Sequence, residues 1–252
     1  MRKRLLPIAG FLCVGGVVFA AGPPDSAVWE YVLARARQEL IPYTVDVSIR
    51  AEIPSLKKVG SLHAVRHQAG LGRFNYESVQ FEGDKIIKTN VIARYLSAEL
   101  EAQRPEEKLA TQISPANYEF KLKGREQVNG REVLVFQVKP RKKRQGLFHG
   151  QIWIDAETRQ PLRESGKVAK LPSVWVKEII FTREYTTANG VAVPERITSE
   201  VKTRIVGKAQ ISIEFHNYRF DLPGELTAAV GSPADPPLLA RPLSDFVVPQ
   251  LY

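Results

Sequence analysis

The chain has 252 residues, 44% of them hydrophobic and 25% charged, and a formal net charge of +9. That composition excludes a disordered chain, and the length lets a domain bury roughly 70% or more of its unfolded surface. One cysteine, Cys13, excludes a disulfide framework, so the fold must rest on its core.

The first residues read as a signal peptide over 1–20. Arg2, Lys3 and Arg4 form the basic start, Leu5 to Phe19 the apolar run, and Val18 and Ala20 the small-residue cleavage pattern. Leu12, directly before Cys13, is bulkier than a lipidated cysteine's neighbour should be, which argues against a lipid anchor. Cleavage after Ala20 removes the only Cys and the only Met and lowers the formal charge to about +6. No later apolar run reaches the ~20 residues of a membrane-spanning helix. The expected product is a secreted, soluble, disulfide-free domain without a thiol nucleophile or thiolate ligand.

Asp25 or Ser26 can cap a helix from Ala27 to Leu40, with Val28, Trp29, Val32, Leu33, Ala36 and Leu40 as its apolar stripe. Ile41-Pro42 ends it. Val45, Val47, Ile49 and Ala51 then alternate with Asp46, Ser48, Arg50 and Glu52, a strand with one buried face. Two further strands are expected over Lys58 to Gln68 and Arg73 to Phe81. Asn90 to Arg104 returns to helical spacing through Ile92, Tyr95, Leu96 and Leu100, and Pro105 is read as its end. Strands resume at Tyr118 to Leu122, turn at Asn129-Gly130, and continue over Val133 to Lys139.

The segment Gly150 to Leu162, GQIWIDAETRQPL, reads as strand, tight turn and returning strand, with Asp155 stabilising the turn. Strands over Trp175 to Tyr185, Val191 to Val206 and Ala209 to Phe220 follow, the first two joined at Asn189-Gly190. From Asp221 six prolines break every periodicity, so 221–252 is read as an extended tail. The expected fold is mostly β with two helices, an α+β class, with one curved-sheet domain over 21–220.

About ten strands ~4.8 Å apart would span roughly 45 Å if flat. Two helices of ~10 Å diameter cover less than half of that. The sheet must therefore curl around them, and any apolar surface left uncovered would mark a binding site. The competing expectation is a closed, filled barrel.

Three segments carry a family resemblance: YEFKLKGREQVNGREVLVFQVKPRKK, GQIWIDAETRQPLRE and WVKEIIFTREYTTANGVAVPERI. With the order of elements around them they resemble the outer-membrane lipoprotein-sorting proteins of the LolA/LolB-like fold, over about Ala27 to Phe220. The larger domain of the envelope sensor RseB looks similar. The resemblance implies an unclosed antiparallel barrel of about ten strands wrapping a helical lid, with a hollow that accepts acyl chains.

Catalytic and metal patterns are weak beside this. His63 and His67 lie on a predicted strand, ~13 Å apart on one face and with no acidic residue between them, which disfavours a metal site. Ser55-Leu56-Lys57-Lys58 matches Ser-x-x-Lys but lacks the companion motifs of that hydrolase class. Asp155 and Glu157 fall in a turn. The alternations supply no polar cluster for the hollow, so no enzyme, cofactor or metal is expected.

The expected function is amphiphile binding, shielding lipid or lipoprotein acyl chains for sorting or transport, by a monomer that does not bind nucleic acid. The alternative is an RseB-like sensor or regulatory interaction module. Lining residues are expected at Val47, Ile49, Phe74, Tyr76, Phe120, Leu122, Ile152, Ile154, Ile211 and Ile213. Lid residues are expected at Trp29, Leu33, Ile92, Tyr95 and Leu96. The protruding run Arg141, Lys142, Lys143 and Arg144 suits peripheral contact with anionic lipid.

Overall fold

The structure, a computed structural model, describes residues 24–70 and 72–220. The expected signal peptide with Cys13 and the expected tail from 221 lie outside the described residues. Helix α1 (Pro24–Leu40) leads into strands β1 (Tyr43–Ile53), β2 (Lys58–Gln68) and β3 (Phe74–Gly83). A helical segment follows: α2 (Lys85–Ile87), a π-helical turn (Lys88–Ile92), α3 (Ala93–Glu101) and α4 (Pro105–Thr111). Seven strands complete the order: β4 (Tyr118–Val128), β5 (Arg131–Pro140), β6 (Phe148–Asp155), β7 (Pro161–Val168), β8 (Val176–Ala188), β9 (Val191–Thr203) and β10 (Lys208–Phe220).

All ten strands form one antiparallel sheet in the order β3-β2-β1-β10-β9-β8-β7-β6-β5-β4. Each strand thus pairs with its chain neighbour, except that β1 pairs with β10 and β3 does not pair with β4. The gap lies where the chain leaves the sheet as helices. The sheet is therefore an unclosed meander whose two edges are linked by α2 to α4.

Alternation explains the inner face. Val45, Val47, Ile49 and Ala51 are all buried, whereas Arg50 between them is exposed. Together with Ile211, Ile213 and Phe215 of β10, and with Ile87 and Ile92 of the helical segment, they form one core cluster. A second cluster joins Ala27, Val28 and Tyr31 of α1 to Tyr118, Leu134, Phe136, Val138, Phe148, Ile152 and Ile154.

Two helical expectations are corrected. Pro105 does not close the helical segment: α3 ends at Glu101, and Pro105 sits at the start of α4, where its missing N–H costs nothing. The face of α1 that meets the sheet is Ala27, Val28 and Tyr31, while Trp29, Leu33 and Leu40 are each more than half exposed. The cause is Tyr31, whose hydroxyl has a buried carboxylate to reach, so the helix turns that residue inward.

The Asp155 turn behaves as expected. Its Oδ1 accepts from the backbone N–H groups of Glu157 and Thr158 at 3.0 and 2.8 Å. Directly upstream, Gly150 of β6 faces Gly166 of β7 in register. A Cβ on Gly150 would lie 2.0 Å from the Ser165 carbonyl oxygen, and one on Gly166 would lie 2.4 Å from that of His149. The backbones approach there more closely than side chains permit, as at a tight bend in a barrel wall.

Candidate functional site

Two inward strand positions carry charge. Glu164 of β7 pairs in register with Arg183 of β8. The Glu164 side chain is only 1% exposed, and Arg183 Nη1 donates to its Oε2 at 3.1 Å. Its Oε1 accepts from the hydroxyls of Tyr185 at 2.8 Å and Tyr31 at 3.3 Å. Arg35, one turn beyond Tyr31 on α1, lies 4.0 Å from the same oxygen and donates to the Tyr185 hydroxyl at 2.9 Å. Five side chains from α1, β7 and β8 thus make one polar network around a buried carboxylate.

Burial opposes ionisation of Glu164, but Arg35, Arg183 and the two hydroxyls outweigh it and hold the carboxyl below its ordinary range. Burial and then the adjacent carboxylate push the Tyr31 hydroxyl up. The network therefore contains one anion and two cations at neutral pH, an excess of one positive charge.

This network forms the floor of a cavity of about 740 Å³. Arg35, Glu164 and Arg183 line it, with Phe148 and Phe181 on the sheet side and Pro105, Leu109 and Ile113 on the helical side. The two phenylalanine rings meet edge to face at 5.0 Å. Two acids of the lining are already paired, Glu39 with Lys108 at 2.5 Å and Glu107 with Arg144 at 2.8 Å. The lining is therefore mixed: the apolar groups stand beside the charged side chains of Arg35, Glu39, Glu101, Glu107, Lys108, Glu164 and Arg183, and the volume lies within the range of small-ligand sites.

The helical cover is fastened by polar groups. Glu99 of α3 meets Arg66 Nη1 of β2 at 3.4 Å and accepts from the Tyr76 hydroxyl of β3 at 2.6 Å. Gln103 accepts from the backbone N–H of Phe74 at 3.0 Å. Arg66 stacks its guanidinium 3.7 Å above the Phe74 ring, and its buried Nε has no hydrogen-bond partner among the described residues. At the other end Ile87 and Ile92 are buried in the first cluster. The π-helical turn carries Ile92 of this apolar anchor, and the polar anchor follows it at Glu99 and Gln103.

The expected lining residues fall mostly in the packed clusters. Val47, Ile49, Ile211 and Ile213 belong to the first, with Tyr76 packed against it, and Ile152 and Ile154 to the second, with Phe120 packed against it. Leu122 is 37% exposed beside a register shift in β4. None of them lines the 740 Å³ cavity. Of the expected lid residues, Ile92 is buried and Tyr95 and Leu96 pack against the first cluster, whereas Trp29 and Leu33 are exposed. Arg141, Lys142, Lys143 and Arg144 are exposed in the β5–β6 connection.

The polar network is what the sequence reading missed. The register across the Asp155 turn concealed it. Trp153 pairs with Arg163 but Ile154 with Pro161, so Leu162 is an extra residue, and this bulge sets Glu164 opposite the buried Ile152. His63 and His67, by contrast, each meet a hydroxyl across the strand pair, of Ser48 at 3.1 Å and of Thr44 at 3.2 Å. Ser55 donates to the Val206 carbonyl at 2.6 Å, a role in joining two turns.

Residues 64–165, less than half of the chain, match the MucB/RseB N-terminal domain family. The matched stretch runs from β2 through the helical segment to β7 and includes Glu164. No curated protein matches the chain. Among solved structures, a domain described as an outer membrane lipoprotein-sorting protein from Vibrio parahaemolyticus is 10% identical, with 82% of this chain and 98% of that one covered and a TM-score of 0.40. A LolA superfamily protein from Nitrosomonas europaea is 12% identical, with coverages of 79% and 96% and a TM-score of 0.35. The MucA/MucB complex of Pseudomonas aeruginosa is 12% identical, with coverages of 79% and 99% and a TM-score of 0.24. Among the described residues no helix is long and apolar enough to cross a membrane.

Proposed function

We propose that the protein is a periplasmic amphiphile-binding protein, and that the cavity between α1, α3, α4 and the inner sheet face takes the ligand. The observation that carries this reading is one cavity that sets Phe148, Phe181 and Ile113 beside two arginines that share a single glutamate. An acyl chain laid against Phe148, Phe181, Ile113 and Leu109 would gain ~0.8 kcal/mol per methylene buried. Its anionic head group would meet Arg35 and Arg183, whose charge Glu164 only half neutralises. Positioning, shielding and release are then the protein's work, and the ligand is a lipid or an acylated lipoprotein.

Release requires the cover to move. The Glu99 latch to Arg66 and Tyr76 supports a cover that opens at its polar end while Ile87 and Ile92 keep the other end seated. Unlatching frees Glu99 and Arg66 to meet water, which offsets part of the cost of lifting Tyr95 and Leu96 from the first cluster.

A second reading, a sensor or regulatory module, is favoured by the match of residues 64–165 to the MucB/RseB domain. In that case the same cavity would be occupied, and a partner would read the state of the cover. Both readings require a bound amphiphile. The test is mass spectrometry of lipids retained by the mature protein purified from envelope extracts, followed by titration with a fluorescent fatty acid. Retained lipid and saturable probe binding, weakened at least tenfold by Arg183→Met, are expected. No retained lipid and no probe binding would refute it.

A further inference from the structure

Antiparallel pairing gathers four consecutive connections at one end of the sheet: residues 54–57, 203–207, 169–175 and 141–147, in the order of the strands they join. The first three carry large apolar side chains that cover nothing. Leu56 is 43% exposed, Ile205 73%, Val174 77% and Trp175 58%.

These connections are tied to one another. Arg204 donates from its backbone N–H to the Trp175 carbonyl and from Nε to the Val174 carbonyl, both at 2.9 Å. Ser55 donates to the Val206 carbonyl at 2.6 Å. The apolar tips are therefore held outward by backbone geometry, and they cannot collapse onto the sheet without breaking these bonds. They form separate prongs on turn apices, a shape that fits a fluid surface better than a protein groove.

The charge around them is in basic excess, with Glu52 of β1 set 4.0 Å from Arg50. Lys57, Lys170, Lys177 and Arg204 are exposed, and none is ion-paired with a carboxylate among the described residues. The nearby acids are occupied: Glu178 bridges Lys167 and Lys202, each at 2.7 Å, and Glu200 holds Lys208 at 2.8 Å. Lys142 and Lys143 extend the basic rim along the next connection. Trp and aliphatic tips within a ring of Lys and Arg match the layered chemistry of a bilayer interface, apolar below and anionic above.

We propose that this end of the sheet is a membrane-docking surface, in which Leu56, Val174, Trp175 and Ile205 enter the interface of an anionic bilayer and Lys57, Lys170, Lys177 and Arg204 contact its head groups. It goes beyond amphiphile binding, because the surface lies at the sheet end and uses none of the residues that line the cavity.

The chain from Ala21 onward is tested by flotation with vesicles of phosphatidylcholine, alone or mixed with phosphatidylglycerol. Binding to the mixed vesicles and little to the neutral ones is expected. Trp175→Ser with Ile205→Ser should weaken binding to the mixed vesicles at least tenfold, and Lys57→Gln or Lys177→Gln about fivefold each. Unchanged thermal midpoints of these exposed-site variants confirm that folding is intact. In a Trp29→Phe, Trp153→Phe background Trp175 is the only tryptophan, and brominated lipid should quench it. Absence of binding to either vesicle, binding indifferent to phosphatidylglycerol, full binding by the double serine variant, or an unquenched Trp175 in the bound protein would each overturn the proposal.

Discussion

Glu164→Ala is expected to destabilise the fold by about 3 kcal/mol, because it removes the one fully buried carboxylate of the network and leaves the Tyr31 and Tyr185 hydroxyls and two partly exposed arginines without their acceptor. For a domain of this size that is a fall in Tm on the order of 10 °C. The reason for so large an effect is the number of groups that depend on one carboxylate: Arg183, Arg35, Tyr185 and Tyr31 all lie within reach of its two oxygens. Glu164→Gln keeps an acceptor for the hydroxyls and should cost less. The charge has a pH signature as well. Its carboxyl is held below the ordinary range in the fold, so its contribution is complete above about pH 4.3 and is lost as pH falls through the lower folded value. Wild type should therefore lose stability below about pH 4.3 more steeply than Glu164→Gln. Thermal melts of the two proteins between neutral and acid pH measure both effects, and equal slopes would show that Glu164 is not ionised in the fold.

Gly150→Ala is the second large effect expected, about 3 kcal/mol of destabilisation from overpacking. Its Cβ would meet the backbone of the next strand, the Ser165 carbonyl oxygen and the Gly166 Cα, neither of which is a flexible side-chain end that can swing away. The gain from restricting the unfolded chain, roughly 0.4–1 kcal/mol, is too small to offset that. Gly190→Ala is the matched control. Gly190 has a φ of +74° and nothing within 4 Å of its would-be Cβ, so only the left-handed backbone cost, about 1 kcal/mol, remains. Chemical denaturation should rank the pair clearly. A Gly150→Ala variant as stable as wild type would mean that β6 and β7 do not approach as described.

Much of the fold was legible because period-2 alternation is a direct record of which face is buried. Val45, Val47, Ile49 and Ala51 announced their strand, and Asn129-Gly130 and Asn189-Gly190 announced their turns. Helix orientation was less legible. The residues of α1 offer two apolar faces, one through Trp29, Leu33 and Leu40 and one through Ala27, Val28 and Tyr31, and only the partner of the Tyr31 hydroxyl decides between them. The cavity floor was hidden for a different reason. Counting back from the Asp155 turn without a bulge sets Glu164 opposite Gln151 and turns it outward. The extra residue Leu162 reverses that, and a one-residue shift moves every following side chain to the other face. Arg35 and Arg183 are 148 positions apart in the chain and nothing local connects them. The expected lining residues were chosen for apolar alternation, and residues of that kind are the ones the clusters consume. The cavity falls instead beside the charged side chains of Arg35, Glu164 and Arg183.

The most direct test of amphiphile binding in this cavity is photo-crosslinking of the mature protein with a fatty acid that carries a diazirine near its chain end. Labelling should fall on residues 105–113, 145–148 and 181–183, and unlabelled fatty acid should compete it away. Label distributed over the exposed stripe of Trp29, Leu33 and Leu40 with none in those three segments, or no competable label at all, would contradict the account.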